Sequence, residues 1–214
     1  MEALLKTDIL YMRLFCIHKI LYRIVALTMA VVLISATLKN NIIIQAQEGE
    51  IKDFPFSLYA ESAVLIDGET GRVICGKNSD NRQPNASTTK ILTCIIALES
   101  CDLNDKVVIS DYAASMPEVN MDVKSGEEYR LGDLLYAMML ESYNDVAVAV
   151  AEHVAGGTEE FADMMMDKVR QLGLVNTHFV TANGLDATND GGFHGTSAYD
   201  LAQIMRYCIS YSDS

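Results

Sequence analysis

Two apolar stretches, residues 131–140 and 145–154, are separated only by Glu141-Ser-Tyr-Asn144. Each is long enough for about three turns of helix at roughly 3.6 residues per turn. Helices this apolar around their circumference are stable in water only when other elements pack over them. A chain with such a pair must therefore build a helical core. The polar quartet between them is the exception. It is either a plain connection in which Ser142 or Asn144 serves as a cap, or the lining of a site.

The remaining segments set the fold class. Ala63-Val-Leu-Ile66 and Val73-Ile-Cys75 are short β-prone runs around the loop Asp67-Gly-Glu-Thr-Gly71, which reads as a hairpin. Residues 78–85 are a polar loop. Residues 87–100 then carry apolar side chains at 91, 92, 95, 96 and 98, the pattern of a largely buried helix. Val107-Val-Ile109 is a short candidate strand. Gly156-Gly157 ends the helix over 145–154, Thr158 reads as the N-cap of a helix over 159–172, and Gly173 stops it. Met164-Met-Met166 on that helix is core filler, and Glu159, Glu160, Asp163 and Asp167 form its solvated face. Asn183-Gly184 marks a turn, and Ser197 caps a last helix over 198–209. Strands first and helices after predict an α+β class. One hairpin is marginal by itself, so the antiparallel sheet under this helical block is expected to be incomplete.

Charge divides the chain. Acidic residues outnumber basic ones 29 to 16, for a net −13, which argues against counterion-driven nucleic-acid binding. Residues 1–46 nevertheless carry +3, from five basic and two acidic residues, and the rest carries −16. Within the basic part, residues 24–38 are uncharged and follow Arg13, Lys19 and Arg23, the layout of a secretory signal. Fifteen residues are short for a spanning helix, which needs about 20. Residues 1–46 are thus expected to be a signal peptide or N-terminal anchor, cleaved near Ala46 or Ala36 if cleaved. Residues 47–214 are expected to be an exported domain.

Cys16 lies in the export segment. Cys75, Cys94, Cys101 and Cys208 remain, with three possible pairings, and read as small buried hydrophobes. The helix predicted over 87–100 sets Cys94 and Cys101 about 10 Å apart, too far to bridge. His18, His153, His178 and His194 are scattered, and CxxC and HExxH spacings are absent, so no metal site is expected.

One pair carries chemistry. Ser87 and Lys90 are i and i+3 at the start of an apolar helix, which puts them on one face about 5–6 Å apart at Cβ. A serine hydroxyl needs a base to become a nucleophile, and a lysine serves only when neutral. Burial, the positive end of a helix and nearby cations all favour the neutral amine. Free N–H groups at the same helix end suit an oxyanion. A plain N-cap serine beside a solvated lysine is the competing reading.

The combination Ser87-Thr-Thr-Lys90 with Ser142-Tyr-Asn144 resembles the S-x-x-K and S-x-N motifs of penicillin-binding proteins and class A β-lactamases. The chain is similar to the D-alanyl-D-alanine carboxypeptidase family of low-molecular-weight penicillin-binding proteins from about Ala63 to about Ile209. The stretches that carry this are residues 85–93, 140–147 and 181–186, His194 with residues 196–201, and the strand pair 63–74.

The resemblance implies a β-lactamase/transpeptidase-like fold and a serine peptidase of peptidoglycan biosynthesis. Ser87 would be the acyl-ester nucleophile toward the carbonyl between two terminal D-alanines of a stem peptide. Lys90 would be the proton acceptor and Ser142 the proton relay. Asn144 would bind the substrate's peptide carbonyl and help hold Lys90. β-Lactams would acylate the same Ser87, and no metal or organic cofactor is implied. Membrane contact would come only through the N-terminal segment or a C-terminal anchor missing from this chain.

Two departures stand out. The middle residue of the S-x-N motif is often Gly, and here it is Tyr143, which would narrow the cleft or point to solvent. The family's K-T-G is also missing after Asn144, where the only lysine is Lys168, inside a predicted helix. In the family that lysine would hold the substrate's terminal carboxylate, and its strand would complete the sheet. The chain is therefore expected to hold a C-terminally truncated catalytic domain, with an inactive remnant or a β-lactamase as alternatives. The β-lactamase needs a deacylating glutamate, for which no loop signature is present. His194 matches a family position and is expected to give structural support, because no partner carboxylate is evident.

Overall fold

The computed structural model describes residues 51–212. The expected export segment and Cys16 lie outside the described residues. Ile51–Ser214 is one compact unit. Among its described residues no helix is long and apolar enough to cross a membrane.

Strands β1 (Ala63–Ile66) and β2 (Val73–Lys77) form the expected antiparallel hairpin. Its loop closes on Asp67, whose carboxylate accepts from the Thr70 N–H at 2.8 Å and the Thr70 hydroxyl at 2.6 Å. This is the local side-chain competition that makes Asp a turn residue. A 3₁₀ turn, Ala86–Thr89, leads into helix α1 (Lys90–Ser100). The expected helix thus begins as a tighter turn, which places Ser87 ahead of the α-helix proper.

Strand β3 (Lys106–Val108) pairs with β4 (Glu128–Arg130), and the short helix α2 (Asp111–Ala114) lies between them. Strand β4 is Glu-Tyr-Arg, too short and polar to show a period in the sequence. Helices α3 (Leu131–Glu141), α4 (Asn144–Ala155) and α5 (Thr158–Gln171) follow. Thr158 is not the N-cap. Extended Gly157 holds that position without a side-chain cap, and Thr158 is the first helical residue. The small hairpin β5 (Thr188–Asn189) and β6 (Gly192–Phe193) precedes helix α6 (Ala198–Ser212). Ser197 caps α6, since its hydroxyl accepts the Asp200 N–H at 3.1 Å.

Helix α4 is the axis of the core, with every residue from Asn144 to Ala151 buried. It packs against α1, α3 and α5. Val146, Ala147 and Val150 join Leu131, Leu134 and Met138 of α3 in one cluster. Leu92, Ile95 and Ile96 of α1 join Phe161, Met165 and Val169 of α5 in a second. Phe161 is fully buried, and truncating such a ring to alanine costs about 3–5 kcal/mol. Met165 is core, Met164 and Met166 pack partly against it, and Glu159, Glu160, Asp163 and Asp167 are exposed.

Helix α6 lies on the first hairpin, where the Arg206 guanidinium donates to the carbonyls of Gly68 at 3.0 Å and Glu69 at 2.7 Å. The architecture is α+β, with a helical block beside two-stranded antiparallel pairs among the described residues. Cys75, Cys94, Cys101 and Cys208 are free thiols, and burial pushes the Cys94 thiol up to about 11.

Candidate active site

Lys90 is the first residue of α1, and its side chain is only 2% exposed. Its Nζ sits 3.1 Å from Ser87 Oγ, 2.9 Å from Asn144 Oδ1 and 2.7 Å from the Asn183 carbonyl oxygen. Those three acceptors match the three hydrogens of an ammonium. Among the described residues no carboxylate pairs with it, so no counter-charge offsets the lost hydration. Burial pushes Lys90 down to about 8 from the ordinary lysine range. About one tenth is then neutral at pH 7. A neutral amine keeps two donors, for Asn144 and Asn183, and turns its lone pair to the Ser87 hydroxyl.

Ser87 is exposed on the 3₁₀ turn, one turn before the buried lysine. The preceding Ala86 has φ +45, a left-handed conformation costing a non-glycine residue about 1 kcal/mol. The turn is pressed against the loop over 181–186. Gly184 has φ +86, and a Cβ there would lie 2.0 Å from the Ala86 carbonyl oxygen. Only glycine permits that approach. It brings the Asn183 carbonyl to Lys90 and the Ala182 carbonyl to the Thr93 hydroxyl at 2.7 Å.

The polar break supplies the third group. Asn144 opens α4 and is 5% exposed. Its Oδ1 accepts from Lys90, while its amide donates to the carbonyls of Pro117 at 3.3 Å and Glu118 at 3.1 Å. Both amide hydrogens are thus engaged, and a ligand carbonyl has to displace one partner. Ser142 ends α3 at φ +65, and its hydroxyl has no hydrogen bond among the described residues. Sequence proximity to Asn144 brings Ser142 near the break, but no bond joins it to Ser87 or Lys90. Tyr143 is partly buried against the core cluster of α3 and α4.

His194 is 2% exposed. The Val180 and Thr181 N–H groups donate to its Nδ1 at 2.9 and 3.2 Å. Backbone N–H groups only donate, so Nδ1 is bare and the proton of the neutral ring is on Nε2. Nε2–H then donates to Thr89 Oγ1 at 2.8 Å, and the Asn85 amide donates to the same oxygen at 2.8 Å. Burial lowers His194 to about 4, so the ring is neutral at pH 7. It pins the 180–184 loop to the turn that carries Ser87. Sequence reading missed the Asn183 carbonyl and Thr89 as parts of this framework. Asn183-Gly184 was visible only as a turn.

Lys168 takes no part. It lies on α5, 2.6 Å from Glu99 Oε2, with its ammonium 5.2 Å from the Tyr207 ring centroid. The arrangement of Ser87, Lys90 and Asn144 suits proton removal from a serine and attack on a carbonyl.

A profile described as D-alanyl-D-alanine carboxypeptidase matches residues 46–214. The D-alanyl-D-alanine carboxypeptidase DacF of Bacillus subtilis is 40% identical over 157 residues, covering 71% of this chain and 39% of that protein. A crystal structure of a D-alanyl-D-alanine carboxypeptidase from Mycobacterium tuberculosis superposes with a TM-score of 0.69 at 30% identity, covering 75% of this chain and 61% of that one. Penicillin-binding protein D2 of Listeria monocytogenes, solved in its ampicillin-bound form, gives 0.60 at 26% identity, covering 74% and 65%. The fold is that of these proteins. The chain spans about two fifths of the length of the B. subtilis relative.

Proposed function

The chain belongs to the D-alanyl-D-alanine carboxypeptidase family, and from that premise we propose that it carries the nucleophile half of a serine carboxypeptidase site acting on peptidoglycan stem peptides. The observation that carries the reading is a buried lysine bonded at once to Ser87 and Asn144. Neutral Lys90 takes the Ser87 proton as Oγ adds to the carbonyl of the penultimate D-alanine. The peptide C–N bond breaks, the leaving amine takes a proton by way of Ser142, and free D-alanine departs. Water then cleaves the Ser87 ester, returning the shortened peptide and the serine hydroxyl. Asn144 orients Lys90, and it binds the substrate carbonyl by releasing Pro117 or Glu118.

β-Lactams acylate the same oxygen as substrate mimics. The β-lactamase reading is not favoured, because the matching family and relatives are D-alanyl-D-alanine carboxypeptidases. Residues 1–46 serve as export signal or anchor, residues 47–214 belong to the catalytic domain, and the work is done outside the cytoplasmic membrane. Release of D-alanine from a peptide ending in D-Ala-D-Ala tests the reading: turnover abolished by Ser87→Ala supports it, and turnover that persists in folded Ser87→Ala would overturn it.

A further inference from the structure

Helices α1 and α4 start together, with Lys90 Nζ 2.9 Å from Asn144 Oδ1. They also end together. Cys101, the residue that closes α1, and His153, in the last turn of α4, come within reach of Asp105 in the loop that follows α1. The thiol, one imidazole nitrogen and one carboxylate oxygen all lie within 4.8 Å of one another, and all three residues are half-buried. We propose that Cys101, Asp105 and His153 form a zinc site with a fourth, open position for water.

The chemistry of the donors selects the metal. Thiolate, imidazole and carboxylate together suit zinc, and three protein ligands plus water complete its tetrahedron. The spacing fits as well. His153 Nε2 lies 3.6 Å from Asp105 Oδ2, too long for a hydrogen bond. Bonds of about 2.0–2.2 Å at tetrahedral angles give a donor–donor edge of roughly 3.4 Å.

The Asp105 carboxylate and its loop are held before any ion arrives. Asp105 Oδ2 accepts the Asp102 N–H at 3.1 Å, the Asp105 N–H reaches the Asp102 carbonyl at 2.9 Å, and the Asp105 carbonyl accepts the Leu131 N–H at 2.9 Å. Asp102 Oδ1 accepts the Asn104 N–H at 2.8 Å within the same loop. Such outer contacts fix ligand orientation. His153 stands on the most buried helix of the core. The C-terminal ends of two helices also converge here, and their carbonyl dipoles favour a cation.

Nothing in the sequence spacing suggested this, because the donors come from a helix end, a loop and a second helix. A bound ion would tie the ends of α1 and α4 opposite to those that hold Lys90 and Asn144. About 14 Å of α4 separates the two places at 1.5 Å per residue. The inference does not depend on the proposed activity.

The test uses the full 214-residue chain, reduced and without an affinity tag, titrated with cobalt(II) and then zinc. One cobalt should bind per chain with a thiolate-to-cobalt charge-transfer band in the near ultraviolet, and zinc should bleach it. Cys101→Ser should abolish the band. His153→Gln and Asp105→Asn should each weaken zinc binding by at least about a hundredfold, beyond the 10–100-fold typical of outer-shell changes. A wild type without the band overturns the site whether or not a variant folds. No thiolate band in the wild type, or an unchanged band in Cys101→Ser, overturns the site.

Discussion

Lys90 Nζ and Asn144 Oδ1 are 2.9 Å apart where α1 and α4 begin, and Asn144 meets the lysine with a neutral oxygen. A carboxylate in the same place would favour the ammonium. Asn144→Asp should therefore raise the Lys90 pKa and move the rising limb of the acylation pH profile upward. Acylation by a fluorescent penicillin at pH 7 should fall about tenfold for each unit of that rise. A profile that stays in place contradicts the role given to Asn144.

In the wild type, Lys90 titrates near 8 because burial penalises its charge. Acylation should climb about tenfold per pH unit below that value and level off above it. The same shift bears on stability. Between about 8 and the unfolded lysine value of about 10.4, the unfolded chain binds more protons than the folded one, so stability rises with pH in that window. Lys90→Met has no such group. The wild type should gain on it by up to about 3 kcal/mol between pH 8 and 10.5, as read by urea unfolding. A constant difference would mean that the lysine is not desolvated.

His194 shifts the same way, down to about 4 from 6.5. The unfolded chain therefore takes up its proton first as pH falls. Stability present above pH 6.5 should be lost toward pH 4, by up to about 3 kcal/mol. His194→Gln should flatten that part of the curve. It should also slow acylation, because it frees the Ser87 turn from the 180–184 loop. An unchanged acid limb in the variant would place the sensitivity elsewhere.

Ser142 stands at φ +65, where serine costs about 1–2 kcal/mol and glycine does not. Glycine also loses about 0.5–1 kcal/mol of unfolded-state entropy, so Ser142→Gly should be neutral to slightly stabilising. Acylation or product release should nevertheless drop by about 10²-fold or more if the hydroxyl relays a proton. Equal activity at equal stability would remove Ser142 from the mechanism.

The sequence carried the parts of this site that are local. Ser87 and Lys90 were legible because helical spacing fixes i and i+3 on one face. Asn144 was legible because it interrupts apolar residues. What escaped is long-range. The Asn183 carbonyl has no side-chain signature, and its approach depends on Gly184 meeting Ala86, almost a hundred residues away. Thr89 reads as an ordinary helix-start residue until His194 folds onto it. The size of Tyr143 does not reveal that its position between α3 and α4 packs it partly against the core. Strand β4 escaped because three residues cannot display a period.

Gly184→Ala would place a Cβ 2.0 Å from the Ala86 carbonyl oxygen at φ +86. A cost of at least about 2 kcal/mol is expected, together with loss of the Asn183 contact to Lys90. Thermal melts and penicillin labelling should fall together. A variant as stable as the wild type would show that the two loops need not touch.

The central claim is that Lys90 activates Ser87, and mass spectrometry of the chain after exposure to a penicillin tests it most directly. The account predicts one adduct, on the peptide containing Ser87, absent from Ser87→Ala and strongly reduced in Lys90→Met. No adduct on the folded wild type, or an adduct that persists in Ser87→Ala, would contradict it.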